Sequence, residues 1–118
     1  MTVAEIENLL SSYVFHFSNE AELQEGIEAL FKENSIPYLR EYPLPPNGRV
    51  DFYIKKLRLG IEVKIKGSPS AVTMQVYGYV KNPQIDSIIL LTSKLALKLP
   101  GIVNGKVVVT IPLWANGL

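Results

Sequence analysis

The sequence predicts an α/β domain, with a central mixed β-sheet of about four or five strands flanked by helices. Three observations carry this reading. "RVDFYI" and "GIEVKI" place apolar residues at every second position, the pattern of half-buried strands. Stretches near the start and in the middle place apolar residues at the spacing of an amphipathic helix face. "DSIILLT", which follows the second of those stretches, is continuously apolar, as a strand covered on both faces would be.

The elements follow in order. Val3, Ile6, Leu10, Tyr13 and Phe17 share a helical face, which predicts a first amphipathic helix over residues 3–17, suited to cover the sheet or to pair subunits. In "NEAELQEGIEALFKENSIPY" the stripe of a second helix is Leu23, Ile27, Leu30 and Phe31, capped by Ser18 or Asn19. Glu20 falls on its inward side at the helix start. Glu25 and Glu28 fall on the polar side and Glu22 lies between. "PYLREYPLPPNG" reads as a strand ending in a Pro-Pro-Asn-Gly turn, with Glu41 beside Arg40 as a surface ion pair would be. In the next strand Val50, Phe52 and Ile54 take one face and Asp51, Tyr53 and Lys55 the other. Ile61, Val63 and Ile65 oppose Glu62 and Lys64 in the same way. A reversal around Lys56 to Arg58 sets Asp51 opposite Glu62 or Lys64, a register that the apolar alternation constrains. Ser68 as N-cap and Pro69 in the first turn start a further helix that Pro83 ends, and Gln75 and Tyr79 share one of its faces. After "DSIILLT" come a short helix, "SKLALKLPG", stopped by Pro100 and Gly101, and a last strand, "KVVVTIPL". Pro112 places that strand at an edge, since proline cannot donate to a ladder. Trp114, in the tail, is a packing or interface residue.

Asp51, Glu62 and Lys64 thus converge on one patch of an otherwise apolar hairpin. Two carboxylates offer hard oxygen ligands for Mg²⁺ or Mn²⁺ while leaving room for water and a phosphate oxygen. Such an ion lowers the pKa of a bound water and offsets charge on the phosphate. Lys64 would orient or deprotonate that water, or stabilise the transition state. The competing reading is a solvated strand face with a cross-face ion pair. For Tyr79 it is a core aromatic beside Val72 and Val76, and for Gln75 a surface amide.

Asp51, Glu62-x-Lys64 and Gln75-x-x-x-Tyr79 on a following helix together resemble the PD-(D/E)XK nuclease superfamily, in particular its RecB-like branch, over roughly residues 19–92. The resemblance implies a restriction-endonuclease-like core and a metal-dependent DNA endonuclease, RNA being the less expected substrate. It implies Mg²⁺ or Mn²⁺ as cofactor, Asp51 and Glu62 as metal ligands, Lys64 as the catalytic lysine, and Gln75 and Tyr79 as active-site or DNA-contacting residues. Many members add a glutamate from the first core helix. Glu20 is then a further metal ligand, with Glu22 or Glu25 as substitutes. Val50 stands where the family name has proline. A Holliday-junction-resolvase-like or other structure-specific nuclease falls within this class. The alternative is a noncatalytic nucleic-acid-binding or assembly module on the same fold, since fold does not fix function.

The 118 residues fit one domain: the helix at 1–17, the core at 19–92, and a C-terminal helix and edge strand over 93–118. A net charge of +1 announces no general affinity for nucleic acid, so binding would rest on clusters. Lys55, Lys56 and Arg58 at the hairpin tip, and Lys66 after the E-x-K, are the nucleic-acid-binding candidates. Lys94, Lys98 and Lys106 read as solvated or strand-protecting charges. The little basic area on one copy favours a homodimer. The absence of cysteine excludes disulfides and thiolate metal sites. His16, with no second His or Cys, caps or packs the first helix. Ser68 and Ser70 lack a positioned base, and no P-loop or dinucleotide fingerprint occurs. No apolar run reaches membrane-spanning length, and Glu5 and Glu7 stand where a secretory signal is basic, which together imply a cytoplasmic protein without membrane contact.

Overall fold

Thr2 and Asn19 each start a helix by accepting the amide of the residue three positions on: Glu5 N–H to Thr2 Oγ1 at 3.2 Å and Glu22 N–H to Asn19 Oδ1 at 2.9 Å. The helices are α1 (Val3–Ser12) and α2 (Glu20–Glu33) in the computed structural model, which describes residues 1–46, 48–93, 97 and 99–113. The Glu22 carboxylate completes the second cap by accepting the Ser18 N–H at 2.6 Å. α1 stops at Ser12 and does not run to residue 17 as its spacing predicts. Tyr13 is already extended, at φ −92° and ψ 139°. The aromatic and β-branched run from Tyr13 to Phe15 has little helix propensity to resist this. Leaving the helix lets Phe15 bury its ring against α2 at Gly26, where a Cβ would stand 3.1 Å from Phe15 Cδ1. His16 is exposed beyond the end of α1 and neither caps nor packs it, contrary to expectation.

Among the described residues the sheet has six strands: β1 (Leu39–Pro43), β2 (Arg49–Ile54), β3 (Leu59–Lys64), β4 (Ser87–Thr92), β5 (Ile102–Val103) and β6 (Lys106–Pro112), in the order β1-β2-β3-β4-β6-β5. β1, β2 and β3 are antiparallel neighbours; β3, β4 and β6 run parallel, and β5 returns antiparallel to β6. The sheet is therefore mixed, as expected, but one strand larger. The extra strand, β5, has only two residues, too few to show a periodic pattern. It covers Lys106 and Val107 of β6, so that strand is an open edge only toward Pro112. Most of the predicted helix "SKLALKLPG", with Lys94 and Lys98, lies outside the described residues, as does Trp114.

β2 turns into β3 through one 3₁₀ turn, Lys55–Leu57, closed by Arg58 in the left-handed region at φ 51°. The reversal falls where the sequence places it. α3 (Pro69–Val80) also starts as predicted, with Ser68 Oγ accepting the Ala71 N–H at 3.2 Å and Pro69 in the first turn.

Two apolar layers enclose the sheet. Ile6, Leu10, Leu23, Ile27, Leu30 and Phe31 of α1 and α2 pack on Phe52, Ile54, Ile61, Val63, Ile89 and Leu91. Val72, Val76, Tyr79 and Val80 of α3 pack on the other face, against Val50, Tyr53, Ile88 and Leu90. β3 and β4 are covered on both sides, which is why "DSIILLT" is apolar throughout. Val50 corrects the simple alternation, since it lies in the α3 layer and not with Phe52 and Ile54. The break coincides with Glu41, which turns to φ 50° between the regular pairs Arg40↔Phe52 and Tyr42↔Val50. Gly60 makes the space, because a Cβ there would lie 3.1 Å from Val50 Cγ1.

Candidate active site

The regular ladder between β2 and β3 runs from Ile54↔Leu59 to Phe52↔Ile61. Beyond it, side chains take over the cross-strand bonding. The Asp51 N–H donates to Glu62 Oε1 at 3.1 Å, and the Val63 N–H donates to Asp51 Oδ2 at 2.8 Å. Each carboxyl is thereby fixed by the opposite strand's backbone, and the two carboxyls lie close enough to shift each other's titration. Asp51 is half-buried and Glu62 is only 3% exposed. Lys64 Nζ stands 3.8 Å from Glu62 Oε2. Asp51, Glu62 and Lys64 are therefore brought together, at the carboxyl end of β3, where open α/β sheets commonly bind ligands.

The crowding leaves an electrostatic signature. Burial pushes the Glu62 carboxyl up to about 8, the Asp51 charge adds to the rise, and the Lys64 ammonium, the Asp51 amide and the Tyr79 hydroxyl oppose it. Asp51 is also raised, first by burial. The Val63 amide pulls it back, while the charge of Glu41 pushes it further up. Two buried carboxyls this close hold a proton between them more readily than two charges.

Tyr79 belongs both to the core and to this site. Its ring is buried in the α3 layer, and its hydroxyl lies 2.9 Å from Arg49 O and 3.1 Å from Glu62 Oε2. A hydroxyl has one proton to give. A protonated Glu62 satisfies both contacts, donating to Tyr79 Oη while Tyr79 donates to Arg49 O. Burial and then the Glu62 charge raise the Tyr79 pKa. Gln75, half-buried one turn earlier on α3, lies near enough to oppose the rise in the Tyr79 pKa.

Glu20 reaches the E-x-K strand by another route. Its Oε1 accepts the Ile65 N–H at 3.1 Å, just past Lys64. It faces inward from the first turn of α2, as predicted, but holds backbone instead of joining the carboxyl pair. Among the described residues no three His, Cys, Asp or Glu side chains gather closely enough to hold a metal ion. The expected trio of Asp51, Glu62 and Glu20 is thus not assembled as one ligand set. Glu22 is occupied by the Ser18 amide, and Glu25 is exposed on the outer side of α2.

The basic candidates separate. Lys66 is exposed two residues past Lys64, whereas Lys55 and Lys56 are exposed at the far end of the hairpin. Arg58 is committed to the fold: its Nε lies 3.2 Å from Asp86 Oδ2, and its guanidinium donates to Pro83 O. Lys106, expected to be solvated or strand-protecting, is half-buried and donates to Asn82 O at 2.9 Å. Arg49 was overlooked by sequence reasoning. It is exposed, pairs with Glu41 at 3.0 Å, and supplies the carbonyl that holds Tyr79. The available signal was its place two residues before Asp51. Arg40 and Glu28, read as surface charges, form a half-buried link from β1 to α2. Glu28 accepts from Tyr38 at 2.6 Å and from Arg40 at 3.1 Å, and the Arg40 guanidinium lies over Phe52.

No helix among the described residues is long and apolar enough to cross a membrane. Compared with protein-family models, with curated proteins and with solved structures, the chain matches none.

Proposed function

We propose that this domain is a metal-dependent DNA endonuclease of the PD-(D/E)XK type, hydrolysing phosphodiesters with Mg²⁺ or Mn²⁺ on a restriction-endonuclease-like core. The observation that carries the reading is the Asp51–Glu62 pair. A structural ion pair sets one carboxylate against one cation. Here two carboxyls, both raised, crowd against the single ammonium of Lys64. Ionising both would leave a surplus of negative charge, which the isolated fold avoids by holding a proton at Glu62 and which a divalent cation would offset.

The donor set fits such an ion. Mg²⁺ is commonly held by one or two carboxylates, its other positions being filled by water and phosphate oxygens. When bound, it supplies a lowered pKa for the attacking water and neutralises charge on the phosphate. Asp51 and Glu62 would hold it, and the Val63 and Asp51 amides keep their carboxyls in place. Tyr79 and Gln75 orient Glu62. Lys64 orients or deprotonates the nucleophile, or offsets charge on the phosphoryl oxygens. Arg49 and Lys66, exposed on neighbouring strand ends, contact the DNA backbone. A homodimer belongs to the same proposal. The chain's net charge is only +1, and Tyr13 and Val14 after α1 are 48% and 61% exposed, an apolar surface open to a second copy.

The test is cleavage of single-stranded, duplex, flap and junction DNA by purified protein with Mg²⁺, Mn²⁺ or a chelator. Asp51→Ala, Glu62→Ala and Lys64→Ala should each lower cleavage by at least about a hundredfold while circular dichroism shows a retained fold. Equal activity in wild type and Lys64→Ala would defeat the assignment. DNA binding without cleavage by the wild type would favour a noncatalytic module.

A further inference from the structure

A cavity of about 770 Å³ opens on the opposite end of the hairpin from Asp51 and Glu62, between α1, the connection from α2 to β1 and the 3₁₀ turn. Its size lies within the roughly 300–1,000 Å³ of small-molecule sites. Leu9 of α1, half-buried Ile36 of the connection and exposed Leu39 at the start of β1 give it apolar walls, over a floor of buried Ile6 and Ile54. Most of the charged and hydrogen-bonding side chains of its walls are already engaged. Tyr38 donates to Glu28, Asn34 to Leu30 O, and Tyr53 to Gln84 O. Glu5 lies 3.6 Å from the amino terminus. Lys55 and Lys56 differ from these. Both are exposed at the rim, and neither takes part in an ion pair among the described residues.

From this pairing of apolar walls with two uncommitted ammonium groups, we propose that the cavity binds an aliphatic monocarboxylate, its chain against Leu9, Ile36 and Leu39 and its head at Lys55 and Lys56. An apolar chain gains by leaving water for such walls. A single negative head matches the one kind of charge left unpaired beside them. A neutral amphiphile would use the chamber but not the rim, and a cationic one would be repelled by it. The site shares no residue with the carboxyl pair, so its test stands apart from the nuclease reading. Lys55 and Lys56 then serve a ligand other than DNA.

The experiment titrates the protein with decanoate, decanol and decyltrimethylammonium, following amide shifts by ¹H–¹⁵N NMR. Decanoate should saturate, with shifts concentrated at Leu9, Ile36, Ile54, Lys55 and Lys56, and should bind at least about fivefold more tightly than decanol. The double substitution Lys55→Gln, Lys56→Gln should weaken decanoate by roughly five- to tenfold and leave decanol unchanged. Leu9→Trp or Ile36→Trp should fill the chamber and abolish binding of both, with the melting temperature reporting a retained fold. Equal affinity for decanoate and decanol, shifts centred elsewhere, or no saturation at about 5 mM would overturn the proposal.

Discussion

Replacing Glu62 with glutamine should make the metal-free protein more stable in alkaline solution, because the wild-type residue must ionise in a buried site beside Asp51. Its carboxyl is pushed from an ordinary 4.5 up to about 8. Its contribution to stability is fully present below the ordinary value and is lost as pH rises through the raised one. At about 1.4 kcal/mol per unit, the loss between those limits is on the order of 5 kcal/mol, as an upper figure for a coupled pair. Unfolding 118 residues carries roughly 0.25 kcal/mol per degree of entropy. Even a third of that loss would therefore lower the melting temperature by about 6 °C. Glutamine keeps the shape, can still accept the Asp51 N–H, and carries no proton to lose. Melting followed in chelator from pH 5 to pH 9 should show the wild type falling and Glu62→Gln nearly level, the two curves separating above neutrality. Millimolar Mg²⁺ or Mn²⁺ should recover the wild type at pH 9 and leave the variant unmoved. Parallel curves for the two proteins would refute the view that Glu62 is a strained, ionisable member of a cation site.

Glu20 separates a backbone-holding role from ligation. Glu20→Gln, which can still accept the Ile65 N–H, should keep cleavage within about threefold of wild type, whereas Glu20→Ala should lose about tenfold or more; equal loss in both would make the carboxylate charge essential. Gln75→Ala should reduce cleavage with a melting temperature within about 2 °C of wild type, while Tyr79→Phe, which strips a partner from Arg49 O and Glu62, should cost about 1–2 kcal/mol in chemical denaturation. A large fall in stability with normal activity for Gln75→Ala would return that residue to the core. Light scattering across a concentration series should give a dimer mass that Tyr13→Glu reduces to a monomer, and a monomeric mass at tens of micromolar, with or without DNA, would exclude the pair.

What the sequence determined by itself is what depends on neighbours along the chain. The hairpin from Arg49 to Lys64, the Ser68 cap, the apolar stripe of α2 and the buried strand β4 all rest on periodicity, capping and turn chemistry, which act within a few residues. The facing of Glu62 and Lys64, and so the existence of the charged patch, followed from the same alternation. Tertiary structure decided what depends on residues far apart in sequence. The turn of Val50 into the α3 layer needs Gly60 and the backbone excursion at Glu41 on neighbouring strands. The early end of α1 needs the space that Gly26 leaves for Phe15. Glu20 meets Ile65, Arg40 meets Glu28, and Lys106 meets Asn82 across 45, 12 and 24 positions, separations at which no local rule applies. Above all, the proton held at Glu62 comes from desolvation and from Asp51 together. The sequence contains both carboxyls, but only packing removes the water that would have kept each of them an ordinary acid.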